Sequence, residues 1–312
     1  MSRYDDCAEV HRDVLTDTST HGLTLDQLRS ADFGKVVDGV SSMMIMMDPP
    51  MHERMRKLVS RAFTPRRIAE WEPVVERVIG EVLDPLAGSG AFDAVLDFAG
   101  PFPVEVICSI VGVPKADRQQ IRHWTDHLLE REVGNPFPTA AGIVAAIASG
   151  EYMLQLVADK RRTPSDDMIG HLIEAEVERE DSSVDHLSDD EIASFISLLT
   201  AAGSETVTKL VGNGVMAFAE NPDELAQFVA EESMAQAAVE EVLRYKAPAQ
   251  YQGRYSLLDR EWHGVTIPAG NPVLIVTGAA NRDPRAYEDP DASTSTATRR
   301  SASASGMAST TA

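Results

Sequence analysis

Cysteine is nearly absent from this chain: Cys7 and Cys108 are the two in 312 residues. They stand far apart in unrelated contexts, which fits a reducing compartment. Positive charge is also scarce. Against 49 Asp and Glu there are 28 Lys and Arg, a net charge of −21, which argues against nucleic acid and anionic membrane as partners. No apolar run reaches about 18 residues, so no membrane span is expected. Met1 to Glu9 is polar and acidic, so no signal peptide is expected either. Hydrophobic residues are plentiful at 43%, ample for one large domain or two small ones. The expectation is an acidic, soluble, cytoplasmic globular protein.

The longest ordered pattern runs from Ser188 to Asn221. Ser188 and Glu191 form a capping box, and Asp189, Asp190 and Glu191 suit the positive end of a helix dipole. Ile192, Phe195, Ile196 and Leu199 fall at helical spacing, and Leu210, Val211, Val215 and Phe218 resume it. Asn221-Pro222 ends the helix. Such a segment is roughly 50 Å long at 1.5 Å per residue, so other helices must be laid against it. Midway it reads Ala201-Ala202-Gly203-Ser204-Glu205-Thr206. One reading is a close helix crossing with a polar residue turned to solvent. The other is a widened turn against a ligand or oxygen, with Thr206 donating a hydrogen bond and Glu205 passing protons.

Taken in order, Tyr4 to Val10 reads as a short amphipathic helix with no earlier element to pack it. Gly22 to Val40 reads as loop. Met43-Met44-Ile45-Met46-Met47 either lines a cavity or plugs an irregular gap. Asp48-Pro49-Pro50 reads as a helix start, with Asp48 as cap. On that helix His52 and Arg56 are four apart and share a face suited to a carboxylate. Arg54, Arg56, Lys57, Arg61, Arg66 and Arg67 have no acidic residue among them, a candidate patch for an acidic partner. Helical patterns follow over 68–86, 98–111, 114–132, 139–162 and 165–180, then 222–230 and 233–245. His123 and His127 share a face but have no third ligand at metal spacing, so solvated histidines are expected. Cys108 reads as a small buried hydrophobe. Glu241 and Arg244 can pair on one helix face. Strand-like pieces at 254–258, 261–267 and 272–276 follow. The fold class expected is mainly α with a small β part.

Seven motifs in order resemble the haem-thiolate monooxygenases, the cytochrome P450 family in its soluble bacterial form. They are Asp48-Pro49-Pro50-Met51-His52 with Arg56, Ala62-Phe63-Thr64-Pro65-Arg66, and Ala202-Gly203-Ser204-Glu205-Thr206. Glu241-Val242-Leu243-Arg244, Pro248 with Arg254, Ile267-Pro268-Ala269-Gly270 and Ala279-Ala280-Asn281-Arg282-Asp283-Pro284 complete the series. The resemblance implies a P450 fold around the long central helix, over residues 1–291, with haem as cofactor. By position, His52, Arg56 and Arg254 would hold the haem propionates, and Glu241–Arg244 would be a buried structural ion pair. Thr206 aided by Glu205 would feed protons to bound dioxygen. A ferredoxin-type redox partner would dock on the basic patch. A small apolar substrate would lie against the Met-rich run and 198–202.

The family's thiolate comes from a Phe-Gly-x-Gly-x-His-x-Cys loop, and this chain has none, so no metal ligand is assigned. The family's first helix and strands also have no counterpart at the start. Residues 292–312 are rich in Ala, Ser and Thr, a composition that reads as disorder. Shifting the reading frame is informative. Taking the third base of each codon with the first two of the next, and serines as TCN, Ala304 to Ala312 becomes compatible with Phe-Gly-x-Gly-x-His-x-Cys. Met307-Ala308 forces the second glycine. The same shift makes Ala292 to Ala297 compatible with Phe-Asp-x-x-Arg. The expectation is a single-base frameshift near codon 292, a chain stopped early, and an inactive product. Neither Cys7 nor Cys108 has a glycine-rich approach loop.

Overall fold

The computed structural model describes residues 1–13, 16–30, 32–33, 43–178 and 184–293. The chain divides into two compact units, 35–208 and 1–34 with 209–312. As expected, most of it is helical and the sheets are small.

The unit 35–208 is a helical stack. Its helices are α3 (Met51–Ala62), α4 (Pro65–Leu83), α5 (Pro101–Val111), α6 (Arg118–Leu129), α7 (Ala140–Arg162) and α8 (Met168–Glu174), with the first part of α9 (Asp189–Glu220). A π-helical turn, Ala94–Ala99, leads into α5. The core gathers apolar stripes from α5, α7 and α9, including Ile107, Cys108, Met153, Val157, Ile192 and Ile196. Each of these is at least nine-tenths buried, and such interiors tolerate little change of volume. The capping box of α9 is present: Glu191 N–H donates to Ser188 Oγ at 3.2 Å and Ser188 N–H to Glu191 Oε2 at 2.8 Å.

Two local expectations are corrected in this unit, and the open reading of the middle of α9 is narrowed to the close crossing. Helix α3 begins after Pro50 with no side-chain cap, and Asp48 contributes its carbonyl to the His52 amide instead. The two prolines occupy the turn that would have brought the Asp48 carboxylate to the helix end. The 165–180 pattern is shorter than a single helix, because α8 ends at Glu174 and a hairpin of β2 (Glu176–Glu178) and β3 (Val184–His186) follows. Helix α9 runs unbroken through Gly203, with no widened turn. A Cβ on Gly203 would stand 3.1 Å from Ile107 Cγ1, so the glycine is there for close approach of α5. Met44 and Met47 pack on the core while Met43 and Ile45 stay exposed, closer to a plug than a cavity lining.

The other unit is built on an antiparallel sheet in the order β1 (Asp17–Thr18), β4 (Gln252–Ser256), β7 (Pro272–Ile275). A separate hairpin pairs β5 (Arg260–Trp262) with β6 (Val265–Ile267). Its helices are α1 (Tyr4–Arg12), α2 (Leu25–Arg29), the end of α9, α10 (Pro222–Ala230), α11 (Ala235–Tyr245) and α12 (Thr277–Ala280). Two expectations fail here. The N-terminal segment is anchored: Met1 N–H donates to Leu274 O at 2.6 Å, Tyr4 N–H to Asp283 Oδ2 at 2.8 Å, and Val276 N–H to Met1 O. Its helix packs Tyr4, Cys7 and Val10 against Ile275, Ala280 and Tyr287, partners over 260 residues away in sequence and invisible to a local reading. Part of the 22–40 loop is also helix, since Thr24 and Gln27 form a capping box that starts α2. Residues 31 and 34–40 of that stretch lie outside the described residues.

Candidate functional site

On α3, Met55 and Val59 are buried in the core. His52 and Arg56 lie one turn apart along the edge of that buried stripe, His52 half-buried and Arg56 exposed. Among the described residues neither side chain has a hydrogen bond or ion pair. An uncommitted guanidinium beside an imidazole is the arrangement that can take up a carboxylate. The basic patch is less uniform than its sequence. Arg66 and Arg67 both pair with Glu70 on α4, at 3.2 and 3.0 Å, and Arg67 also bonds His171 on α8. Arg56 and Lys57 remain exposed; the Arg61 side chain lies outside the described residues.

Glu205 and Thr206 are neighbours on α9, so their side chains leave the helix about 100° apart. Thr206 is exposed, and its hydroxyl donates to Ala202 O at 2.8 Å. Glu205 instead lines a cavity of about 160 Å³ with Arg122, Thr125, Asp126, Ser204 and Thr208. Burial pushes the Asp126 carboxyl above the usual range, Arg122 opposes this, and nearby Glu205 adds to it. Arg122 and Asp126 stand 3.9 Å apart. Sequence reading missed both, although their i,i+4 spacing was legible. The histidine pair expected to be solvated lies on the same helix. His123 and His127 meet edge to face at 4.4 Å, and His127 bonds Glu130.

In the other unit, Glu241 and Arg244 pair through two bonds of 2.7 and 2.8 Å. The remaining donors of Arg244 reach three backbone carbonyls, Asn281 O, Pro290 O and Ala292 O, at 3.1, 2.8 and 2.6 Å. The pair therefore ties α11 to the segment 281–292. Arg254 sits in β4, opposite Val273, and donates to Gly253 O. Close to it is a residue that no motif singles out. The His11 ring has its Nε2 buried without a hydrogen bond, and burial, then Arg254, push its pKa down to about 4.

Both thiols are fully buried. Burial pushes Cys7 up to about 11 and Cys108 up to about 12, the reverse of what a thiolate ligand needs.

The family model "Cytochrome P450" matches residues 27–292. This chain belongs to the cytochrome P450 family. The P450 "Vitamin D(3) 25-hydroxylase" of Pseudonocardia autotrophica is 36% identical over 293 residues, covering 93% of this chain and 69% of the relative. "Polyketide biosynthesis cytochrome P450 PksS" of Bacillus subtilis (strain 168) is 33% identical, covering 93% and 70%. Among solved structures, P450BioI in complex with hexadec-9Z-enoic acid ligated acyl carrier protein superposes with a TM-score of 0.81 at 30% identity, over 95% of this chain and 75% of that one. By family, then, the chemistry is that of a haem-dependent monooxygenase, an oxidoreductase. The residues present fit that group in part. The uncommitted Arg56 guanidinium suits its carboxylates, but the two buried thiols, held neutral, do not suit its iron.

Proposed function

We propose that this P450 polypeptide, as a 312-residue chain, keeps the framework of a monooxygenase but does not catalyse, because it offers no thiolate. The state of Cys7 and Cys108 carries this reading: each is a core side chain with its thiol held neutral. Haem bound through a thiolate supplies an iron centre at which the O–O bond is cleaved. At most, the polypeptide is a ligand-binding or redoxin-binding protein of the cytoplasm.

The parent enzyme would use the roles carried over from the family. His52, Arg56 and Arg254 would hold the propionates, and Glu205 with Thr206 would supply protons. A ferredoxin-type protein would supply electrons beside Arg56 and Lys57. A small apolar compound hydroxylated alongside 198–202 completes the proposal. A frameshift near codon 292 explains why the chain departs from that enzyme. Two independent observations support it. The family match ends at residue 292, where the shifted frame begins to be compatible with Phe-Asp-x-x-Arg. The Arg244 guanidinium still holds the carbonyls of Pro290 and Ala292, so packing continues up to that residue.

The test is a reduced carbon-monoxide difference spectrum on two proteins. The 312-residue chain is expected to show no far-red-shifted Soret band, and a chain with the frame restored at codon 292 is expected to show it. Such a band from the 312-residue chain would refute the proposal. Sequencing the gene tests the second part, and an alternative frame without Phe-Gly-x-Gly-x-His-x-Cys would remove it.

A further inference from the structure

The middle of α9 presents two faces. Thr206 lies on one, its hydroxyl returned to the Ala202 carbonyl. Ser204 and Thr208, each two residues from Thr206, leave the helix about 160° away from it. They border the cavity of about 160 Å³ that Glu205 also lines. That cavity has an apolar wall and a polar one. Val95, Leu96 and Val104 supply the first, and Arg122, Thr125 and Asp126 on α6 join Glu205 in the second. Its floor is buried, Val104 being 3% exposed and Ser204 4%. Its mouth is open, because Leu96 and Asp126 are exposed.

Thr125 lines the cavity and is 7% exposed, yet its hydroxyl makes no hydrogen bond among the described residues. Other hydroxyls on a helix of this unit behave differently: Ser197, Thr200, Ser204 and Thr206 each return theirs to a carbonyl of α9. A buried hydroxyl without a partner in the chain calls for one from outside it. We propose that this cavity binds a small alkylammonium ion, with the ammonium between Asp126, Glu205 and Thr125 and the hydrocarbon body against Val95, Leu96 and Val104.

Three observations select that chemistry. An ammonium has three donors and no acceptor, and the polar wall offers it the Thr125 hydroxyl and two carboxylates. Charge points the same way. With both carboxylates ionised, the cavity carries one negative charge more than Arg122 neutralises. Partial burial works against the Asp126 anion, Arg122 at 3.9 Å offsets this in part, and Glu205 adds to it. A cation between the two carboxylates relieves their repulsion, whereas an anion would have to part Arg122 from Asp126 and sit beside Glu205. Size sets the body. A cavity of about 150 Å³ holds a benzene-sized ring, so a six-membered ring fits here. The site uses neither haem nor thiolate, and it goes beyond the monooxygenase reading.

The test is a two-dimensional amide NMR titration of the full 312-residue chain, without haem, using three probes of one shape: cyclohexylammonium, cyclohexanol and cyclohexanecarboxylate. Cyclohexylammonium is expected to saturate with a Kd of the ~mM order open to so small a ligand and to shift the amides of Thr125 and Glu205. The other two are expected to bind at least about tenfold more weakly, for want of charge-assisted hydrogen bonds to the carboxylates. Thr125→Val keeps the side-chain shape and Asp126→Asn changes an exposed residue, so both should fold. They are expected to weaken binding about threefold and about tenfold. Because the whole chain is acidic, Glu261→Gln on β5 controls for diffuse attraction and is expected to leave the affinity unchanged. Five results would each overturn the proposal: no saturable binding of cyclohexylammonium, equal binding of cyclohexanol, tighter binding of the carboxylate, an affinity that Thr125→Val and Asp126→Asn leave unchanged, or a loss with Glu261→Gln as large as theirs. The carbon-monoxide spectrum reads a different site, so either proposal can fail without the other.

Discussion

Arg244→Ala is the perturbation that bears most directly on how the unit 1–34 with 209–312 is held. The arginine is 7% exposed and Glu241 8%. Five hydrogen bonds leave the guanidinium, two to the carboxylate and three to carbonyls on the segment 281–292. Breaking a buried ion pair by removing one partner costs about 3–5 kcal/mol, because the other charge stays behind. Each carbonyl left without a donor adds roughly 1 kcal/mol where water cannot reach it. The sum rivals the ~5–15 kcal/mol that holds a typical domain together, so the variant is expected to unfold this unit at ambient temperature or to leave it close to its midpoint. The chain supplies its own reporters. Trp262 belongs to this unit, whereas Trp71 and Trp124 belong to the unit 35–208. In a Trp71→Phe/Trp124→Phe background, urea titration followed by Trp262 fluorescence reads the affected unit alone. A second series retaining only Trp71 and Trp124 reads the other. The expected result is a midpoint lowered by about 1.5 M or more in the Trp262 series, for a urea slope of ~2 kcal/mol/M. A midpoint within about 0.3 M of the parent protein would show that the pair carries little net energy, and the reasoning above would fail. Replacing both partners by apolar residues, Glu241→Leu with Arg244→Met, should cost less than Arg244→Ala alone.

Three further outcomes are expected. Gly203→Val drives a branched side chain into Ile107, already 3.1 Å from an added Cβ, and should lower the stability of the unit 35–208 by about 1–3 kcal/mol, read from Trp71 and Trp124. His11, held down at about 4 against an ordinary 6.5, is neutral in the folded state and takes up a proton on unfolding below 6.5. Its contribution to stability is therefore intact above 6.5 and is lost as pH falls toward 4. Nitrogen NMR should find the ring neutral at pH 5.5, and His11→Phe should flatten the stability profile over that window. Glu205→Gln removes one of the charges that hold the Asp126 carboxyl above its usual range, and the Asp126 carboxyl, followed by carbon NMR, should then ionise at lower pH, whereas an unchanged titration would mean that the two do not interact.

Much of this protein was legible in its residues because the signals are local. Ser188 and Glu191 mark the start of α9 three residues apart, and Asn221-Pro222 marks its end. The i,i+3 spacing of Glu241 and Arg244 and the i,i+4 spacing of His52 and Arg56 place each pair on one helix face whatever surrounds them. Covalent chemistry was legible as well: a chain with two cysteines, neither in a glycine-rich loop, has no evident thiolate ligand.

Tertiary structure decided what depends on partners distant in sequence. No local pattern shows that Met1 and Tyr4 are pinned by Leu274 and Asp283, because hydrogen bonds across 273 and 279 residues leave no periodicity. Burial turned Cys7, Cys108 and His11 into groups held neutral, since a pKa depends on surroundings that a sequence does not list. The middle of α9 shows the division within six residues. The sequence placed Gly203, Glu205 and Thr206 on one helix and left open whether a turn was widened there. The fold closed that question by setting Ile107 against Gly203 and turning Glu205 toward Asp126, since a gap beside a glycine is defined only by what comes to fill it.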